Sequence, residues 1–248
     1  MTNLPTILLT NDDGVDAPGL RVLARHLRSL GRVVVVAPAR ERSAVSHALT
    51  LHDPLRLHSL AEDVFALDGT PADCILVAMN RILPGRPQLV VSGINDGSNL
   101  GDDVMYSGTV AAAREGSFYE VPAIAFSLQS GDVMDYKCCA GPALDICRRC
   151  LERPPRPGTF LNVNFPAGAL NGLRVTRLSR KTARSTVHEK QDPRGRKYYW
   201  IGLDRSVWDD AEGTDYWAVN HGWISLTPLH RDQTSYDHLE GMQSDYGT

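Results

Sequence analysis

No stretch of this sequence approaches the ~20 consecutive apolar residues that a membrane-spanning helix needs; the longest apolar runs are strand-sized. The opening residues, Met1-Thr2-Asn3-Leu4-Pro5, lack a basic segment followed by a long apolar one, so no secretory signal is expected. A dominant charge is missing too. The formal net charge of −3 gives no global pull toward nucleic acid or an acidic membrane, and neither is expected as a stable partner. The histidines form no HxH or HExxH pattern, which argues against a histidine-rich zinc centre. The glycines form no GxGxxG and no GK[ST] follows them, so the dinucleotide fingerprint and the P-loop are both absent. Cysteine is scarce and odd in number, five residues without framework spacing, which excludes a disulfide scaffold and makes the cytoplasm the expected compartment. Cys147 and Cys150 form a CxxC pair that could read as a zinc site. Their helical spacing with Cys139 and Ala143 instead favours small apolar residues in a core.

What is present is a chain of 248 residues, 42% hydrophobic, long enough for one large α/β domain. Ile7-Leu8-Leu9 reads as a buried strand. A helix should follow from about Asp16, with Pro18 in its first turn, Gly31 past its end, and Leu20, Leu23, Leu27 and Leu30 on one face. The run Val33 to Val36 does not alternate, as in a strand buried on both faces of a parallel sheet. Further strands are expected at 64–67, 89–91, 123–128 and 160–165. Helices are expected from Thr70 to about Leu83, over 109–119 and over 136–152. Alternation of this kind means βαβ units and a mostly parallel, doubly wound sheet.

The character changes near Leu173. Residues 173–178, 197–203 and 217–226 look β-like, with a turn signal at Asp192-Pro193-Arg194-Gly195. Between Arg174 and Lys197, nine bases face only Glu189 and Asp192, and all four tryptophans lie at 200–223. A long aromatic, charged hairpin cannot bury itself alone. It predicts an arm over about 173–215 that packs on another subunit, with the core at about 1–172 and 216–230 and a loosely attached tail from Arg231.

Three loops carry the chemistry. Thr10-Asn11-Asp12-Asp13-Gly14 follows directly on a strand, and ending the strand there lets both carboxylates converge. Adjacent carboxylates raise each other's pKa unless a cation sits between them, and oxygen donors suit Mg²⁺, Mn²⁺ or Ca²⁺. The second strand runs into Glu41-Arg42-Ser43 and then Ser46-His47. A later one runs into Ser92-Gly93-Ile94-Asn95-Asp96-Gly97-Ser98-Asn99, and the loop ends at Ser107-Gly108-Thr109 before a helix. Ligands of doubly wound sheets bind beyond the carboxyl ends of the strands. A phosphate nest built from Asn99, Ser107, Gly108 and Thr109, beside Asn11, is consistent with backbone N–H groups at a helix start. A cation next to an anion nest suits hydrolysis of a phosphate ester. Gly69-Thr70-Pro71-Ala72-Asp73 resembles a catalytic loop, but its chemistry is that of a helix start.

These segments, together with Val91-Ser92-Gly93-Ile94-Asn95, Ser107-Gly108-Thr109-Val110, Asn162-Val163-Asn164 and Lys197-Tyr198-Tyr199-Trp200, resemble the SurE family of 5′-nucleotidases. The resemblance implies a Rossmann-like three-layer α/β/α sandwich with a C-terminal β-hairpin arm. It implies one divalent cation per subunit, Mg²⁺ or Mn²⁺, held by Asp12, Asp13, Ser43 and Asn95, with Asp12, Asp13 and Asn95 catalytic. It implies nucleoside 5′- and often 3′-monophosphates as substrates, short polyphosphate in some members, and a homodimer or homotetramer formed by hairpin exchange. Two other readings compete. An aspartyl-phosphate mechanism usually wants an acid–x–acid spacing rather than adjacent Asp12 and Asp13, and a non-catalytic nucleotide sensor would use the same loops.

Overall fold

A computed structural model describes residues 4–131, 134–168, 170–181, 187–202 and 207–247. The chain runs β1 (Thr6–Thr10), α1 (Pro18–Leu27), β2 (Arg32–Pro38), β3 (Leu57–Ala61), β4 (Val64–Leu67), α2 (Pro71–Val77), β5 (Leu89–Asp96), α3 (Gly108–Phe118), β6 (Ala123–Leu128), α4 (Tyr136–Glu152) and β7 (Thr159–Phe165). It continues through β8 (Leu173–Val175), β9 (Val187–Gln191), β10 (Lys197–Ile201), α5 (Asp215–Asn220), β11 (Ile224–His230) and α6 (Tyr236–Tyr246). A π-helical turn, Ala78–Ile82, extends α2, and a 3₁₀ turn, Gly101–Met105, precedes α3.

Nine strands form one sheet in the order β3-β4-β2-β1-β5-β6-β7-β11-β8. The six from β4 to β7 pair in parallel, while β3 and β11 join antiparallel. One apolar cluster fills the face under α1 and α4, holding Leu20, Leu23, Leu27, Cys139, Cys147 and Cys150. A second, with Cys74, Ile75, Val110 and Ala113, fills the face under α2 and α3. That is why β1, β2 and β5 are continuous hydrophobic runs: both of their faces are covered. From β1 the chain winds outward to β2 and β4, then returns to β5 beside β1 and winds the other way. The switch point therefore lies between the carboxyl ends of β1 and β5.

The cysteines of α4 are free and sit among core side chains or at its edge, as helical spacing implies. Cys147 and Cys150 pack with Cys139 and Ala143 in the apolar cluster under α1 and α4. Thr70 and Asp73 form a capping box at the start of α2, which makes the 69–73 segment a helix start rather than a catalytic loop.

The C-terminal third departs from expectation in three places. Residues 215–220, expected to be partly strand, form α5, because Thr214 caps the helix at Trp217 N and the Trp217 and His221 rings stack at 4.5 Å. Leu173–Val175 pairs with β11 at the edge of the main sheet rather than with the hairpin. The hairpin itself is β9 with β10, two exposed strands closed by the Asp192–Gly195 turn. Leu203, expected in its second strand, lies outside the described residues. Of the tryptophans only Trp200 is on this hairpin. Trp208 stacks on Tyr216 at 5.0 Å, and Trp223 lies under the Arg174 guanidinium at 4.3 Å. The tail from Arg231 includes α6, which buries no residue. Among the described residues no helix is long and apolar enough to cross a membrane.

Candidate active site at the carboxyl ends of β1 and β5

β1 ends at Thr10, and the chain turns at once. The Asn11 side-chain amide donates to the Gly14 carbonyl at 2.9 Å, and its Oδ1 accepts from Gly14 N at 3.2 Å. This Asx turn consumes the Asn11 side chain and brings Asp12 and Asp13 to the same end of the sheet. Asp12 is buried against the start of α3. Its carboxylate accepts from the Thr109 hydroxyl and from the backbone N–H groups of Gly108 and Thr109. The helix start thus faces a carboxylate of the chain itself, which the partial positive charge there favours. A Cβ on Gly108 would lie 2.9 Å from Asp12 Cβ, so only glycine lets the helix approach this closely. Burial raises the Asp12 pKa from its ordinary value, against the lowering effect of these donors.

Asp13 is raised to about 7, first by burial and second by the charge of Asp12, with Asp96 and Glu41 adding to it. Asp96 N donates to Asp13 Oδ2 at 3.3 Å. None of these four acids takes part in a salt bridge among the described residues. Asn95 arrives where the β5–β6 register slips between Ser92 and Asn95, an irregularity of the kind that re-aims a side chain. Its amide nitrogen donates to Gly97 O at 2.8 Å. Its Oδ1 is thereby turned toward the Thr109 hydroxyl, 3.3 Å away, beside Asp12.

The loop after β2 reaches the same place. Arg42 N donates to the Asp12 carbonyl at 2.7 Å, and the Ser43 hydroxyl donates to Glu41 at 2.7 Å. Ser46 ties this loop to the 3₁₀ turn through the Tyr106 and Met105 carbonyls, and His47 Nε2 meets Glu115 of α3 at 2.8 Å. His47 is therefore committed to a buried acid.

Asn99 is held by four hydrogen bonds, to Asn164, Ser127, Asn162 and again Asn164, within a buried network. Ser107 caps α3 by accepting from Val110 N at 3.1 Å. The structure thus gathers Asp12, Asp13, Asn95, Gly108 and Thr109 tightly, sets Ser43 at the rim, and places Asn99 and Ser107 on the flanking loop. Sequence reasoning gave no role to Asn162 and Asn164, although their i, i+2 spacing at the end of a strand puts both amides on one face. A groove of about 470 Å³ lined by Pro5, Arg86, Gln88, Glu120 and Pro122 lies at the opposite, amino-terminal ends of the strands and contains none of these groups.

The "Survival protein SurE" family model matches residues 7–185. A "5′-nucleotidase SurE" of Syntrophotalea carbinolica is 52% identical over 237 residues, covering 94% of each chain. One from Geobacter sulfurreducens is 50% identical, covering 96% of this chain and 92% of its own. The crystal structure of the SurE protein of Aquifex aeolicus superposes with a TM-score of 0.88 at 42% identity, covering 97% of this chain and 99% of that one. Family model, relatives and fold agree with one another, and the chain belongs to the SurE family.

Proposed function

We propose that this protein hydrolyses nucleoside 5′-monophosphates to nucleoside and phosphate, with a single divalent cation at Asp12 and Asp13. The observation that carries the reading is the meeting at the switch point of a buried carboxylate, Asp12, and a half-buried one, Asp13, with the charges of Asp96 and Glu41 close by and, among the described residues, no salt bridge to offset them. Relatives about half identical to it over nearly the whole chain are named 5′-nucleotidases.

The residues fit a hard cation. Asp12 and Asp13 supply carboxylate oxygens, and Asn95 presents its amide oxygen because its nitrogen is bound to Gly97. The remaining protein ligands in this reading are the neutral Asn95 and Ser43, at the end of β5 and on the loop after β2. An all-oxygen set of two charges and two dipoles suits Mg²⁺ or Mn²⁺. Bound there, such an ion neutralises phosphate charge and activates water. Thr109 and Gly108 fix Asp12 from behind, and Asn11 fixes the turn. In this reading the Ser107 hydroxyl, which accepts from Val110 N, donates to the phosphate, while Asn99, whose backbone and side-chain N–H groups already donate to Asn164 and Ser127, shapes the loop beside it. Action on 3′-monophosphates or short polyphosphate, assembly into a dimer or tetramer through the β9–β10 hairpin, and a cytoplasmic location belong to the same proposal.

The test is phosphate release from a panel of nucleoside 5′- and 3′-monophosphates with Mn²⁺, Mg²⁺ or chelator. Cation-dependent release that favours nucleotides over an aryl phosphate is expected. Folded protein that binds nucleotide intact with every cation would refute hydrolysis and make the chain a sensor.

A further inference from the structure

The 3₁₀ turn Gly101–Met105 lies between the Asn99 segment and Ser107, and the base of the arm grips it from one side. Gly101 N donates to Asp215 Oδ2 at 2.8 Å, and Ser179 N donates to Asp215 Oδ1 at 2.7 Å. Asp215 is fully buried. Gly101 has φ +49°, and a Cβ there would lie 2.6 Å from both the Ser179 carbonyl oxygen and the Trp208 ring. Next along the turn, Lys181 Nζ meets Asp103 Oδ1 at 2.5 Å while lying 4.7 Å from the centre of the Trp208 ring. The Lys181 side chain is 19% exposed and that of Asp103 36%, so the pair is partly buried and less screened by salt than a fully exposed one. On the other side of the turn, the Asp103 carbonyl accepts from Tyr106 N at 3.0 Å and Ser107 N at 3.2 Å. Two residues further, Thr109 holds Asp12. The contacts form one continuous path from Lys181 and Asp215 through Asp103 to Ser107 and the carboxylate.

We propose that Lys181, with Asp215, is a positioning residue for hydrolysis: the base of the arm locks the Gly101–Met105 turn and so sets where Ser107, Gly108 and Thr109 present Asp12 and the phosphate donors. Neither residue touches substrate; both act through Asp103 and Gly101. The arrangement ties the element expected to mediate assembly to the geometry of the catalytic end of the sheet. The proposal rests on the nucleotidase reading above.

Lys181→Met keeps an unbranched side chain beside Trp208 and removes the charge; Lys181→Arg keeps the charge. Lys181→Met is expected to lower kcat on the order of tenfold, the scale typical of outer-shell partners, with KM for the nucleotide little changed. Amide hydrogen exchange at residues 101–110 should be faster, and Lys181→Arg should recover both. Asp103→Asn, which breaks the same pair from the turn, should match Lys181→Met if that variant folds poorly. Unchanged kcat in folded Lys181→Met, or unchanged exchange at 101–110, overturns the proposal. Wild-type protein that releases no phosphate with any cation refutes the nucleotidase reading instead. Mn²⁺ affinity then decides the clamp: about tenfold weaker binding in Lys181→Met sustains it, and equal affinity overturns it.

Discussion

Gly108→Ala isolates the contact on which the site depends. The added Cβ would sit 2.9 Å from Asp12 Cβ, 3.0 Å from Asp12 Oδ2 and 3.1 Å from Pro71 Cγ. Carbon contacts are comfortable from about 3.5 Å, so something must move by roughly 0.6 Å. Pro71 belongs to the capped first turn of α2 and cannot yield easily. Asp12 is the softer neighbour, and its displacement strains the Thr109 and Gly108 donors together. Overpacking costs about 1–3 kcal/mol, and alanine in place of glycine in a helix returns up to about 1 kcal/mol. The net loss of about 0–3 kcal/mol shifts the melting midpoint by no more than about 12 °C in a chain of this size. A displaced Asp12 should nevertheless cut turnover by about a hundredfold, as angstrom-scale misplacements do. The assay is phosphate release at saturating nucleotide and Mn²⁺ beside a thermal melt. Turnover within a factor of two of wild type, in protein that melts where wild type does, would refute the close-approach argument and Asp12's central place in the site.

Two further outcomes follow from the same geometry. The Asp13 pKa of about 7 lies above the ordinary value of 3.8, so its ionised form is disfavoured by folding. In chelator, the stability contributed by the neutral form is complete below the ordinary value and is lost as pH rises through about 7. Asp13→Asn should flatten that part of the melting curve against pH and abolish cation-dependent release; an unchanged pH profile would show that the burial is not felt. Removing residues 187–201 should leave a folded core that runs as a monomer by sedimentation; persistence of the wild-type assembly state would rule out the hairpin as the contact.

Much of the core was legible because its determinants are local. Leu20, Leu23 and Leu27 repeat at helical spacing and are buried as that spacing predicts. Val33 to Val36, without alternation, lies buried on both faces. Thr70, Pro71 and Asp73 spell a helix start, and the capping box is there. Residues 57–61 were not legible as a strand. All five are exposed, and β3 exists only because β4 offers an edge to pair with. Residues 217–220 misled because Trp217 and Val219 favour strands, while the Thr214 cap and the Trp217–His221 stack favour helix. For the site, the acid pair and the Asn95 loop were readable as polar residues at the ends of apolar runs. The duty of Thr109 as a donor to Asp12, and of His47 to Glu115, 68 positions away, was not.

The sequence by itself determined the strand and helix alternation, the absence of a disulfide frame, and the candidate oxygen ligands, because hydrophobic period, capping chemistry and carboxylate adjacency act over a few residues. Only the tertiary structure decided that β1 and β5 are neighbours, that the start of α3 faces Asp12 rather than open solvent, and that the base of the arm grips the turn before Ser107. Those are meetings of residues some 80 to 115 positions apart, and the strand order and helix packing that create them depend on how the whole chain buries its two apolar faces.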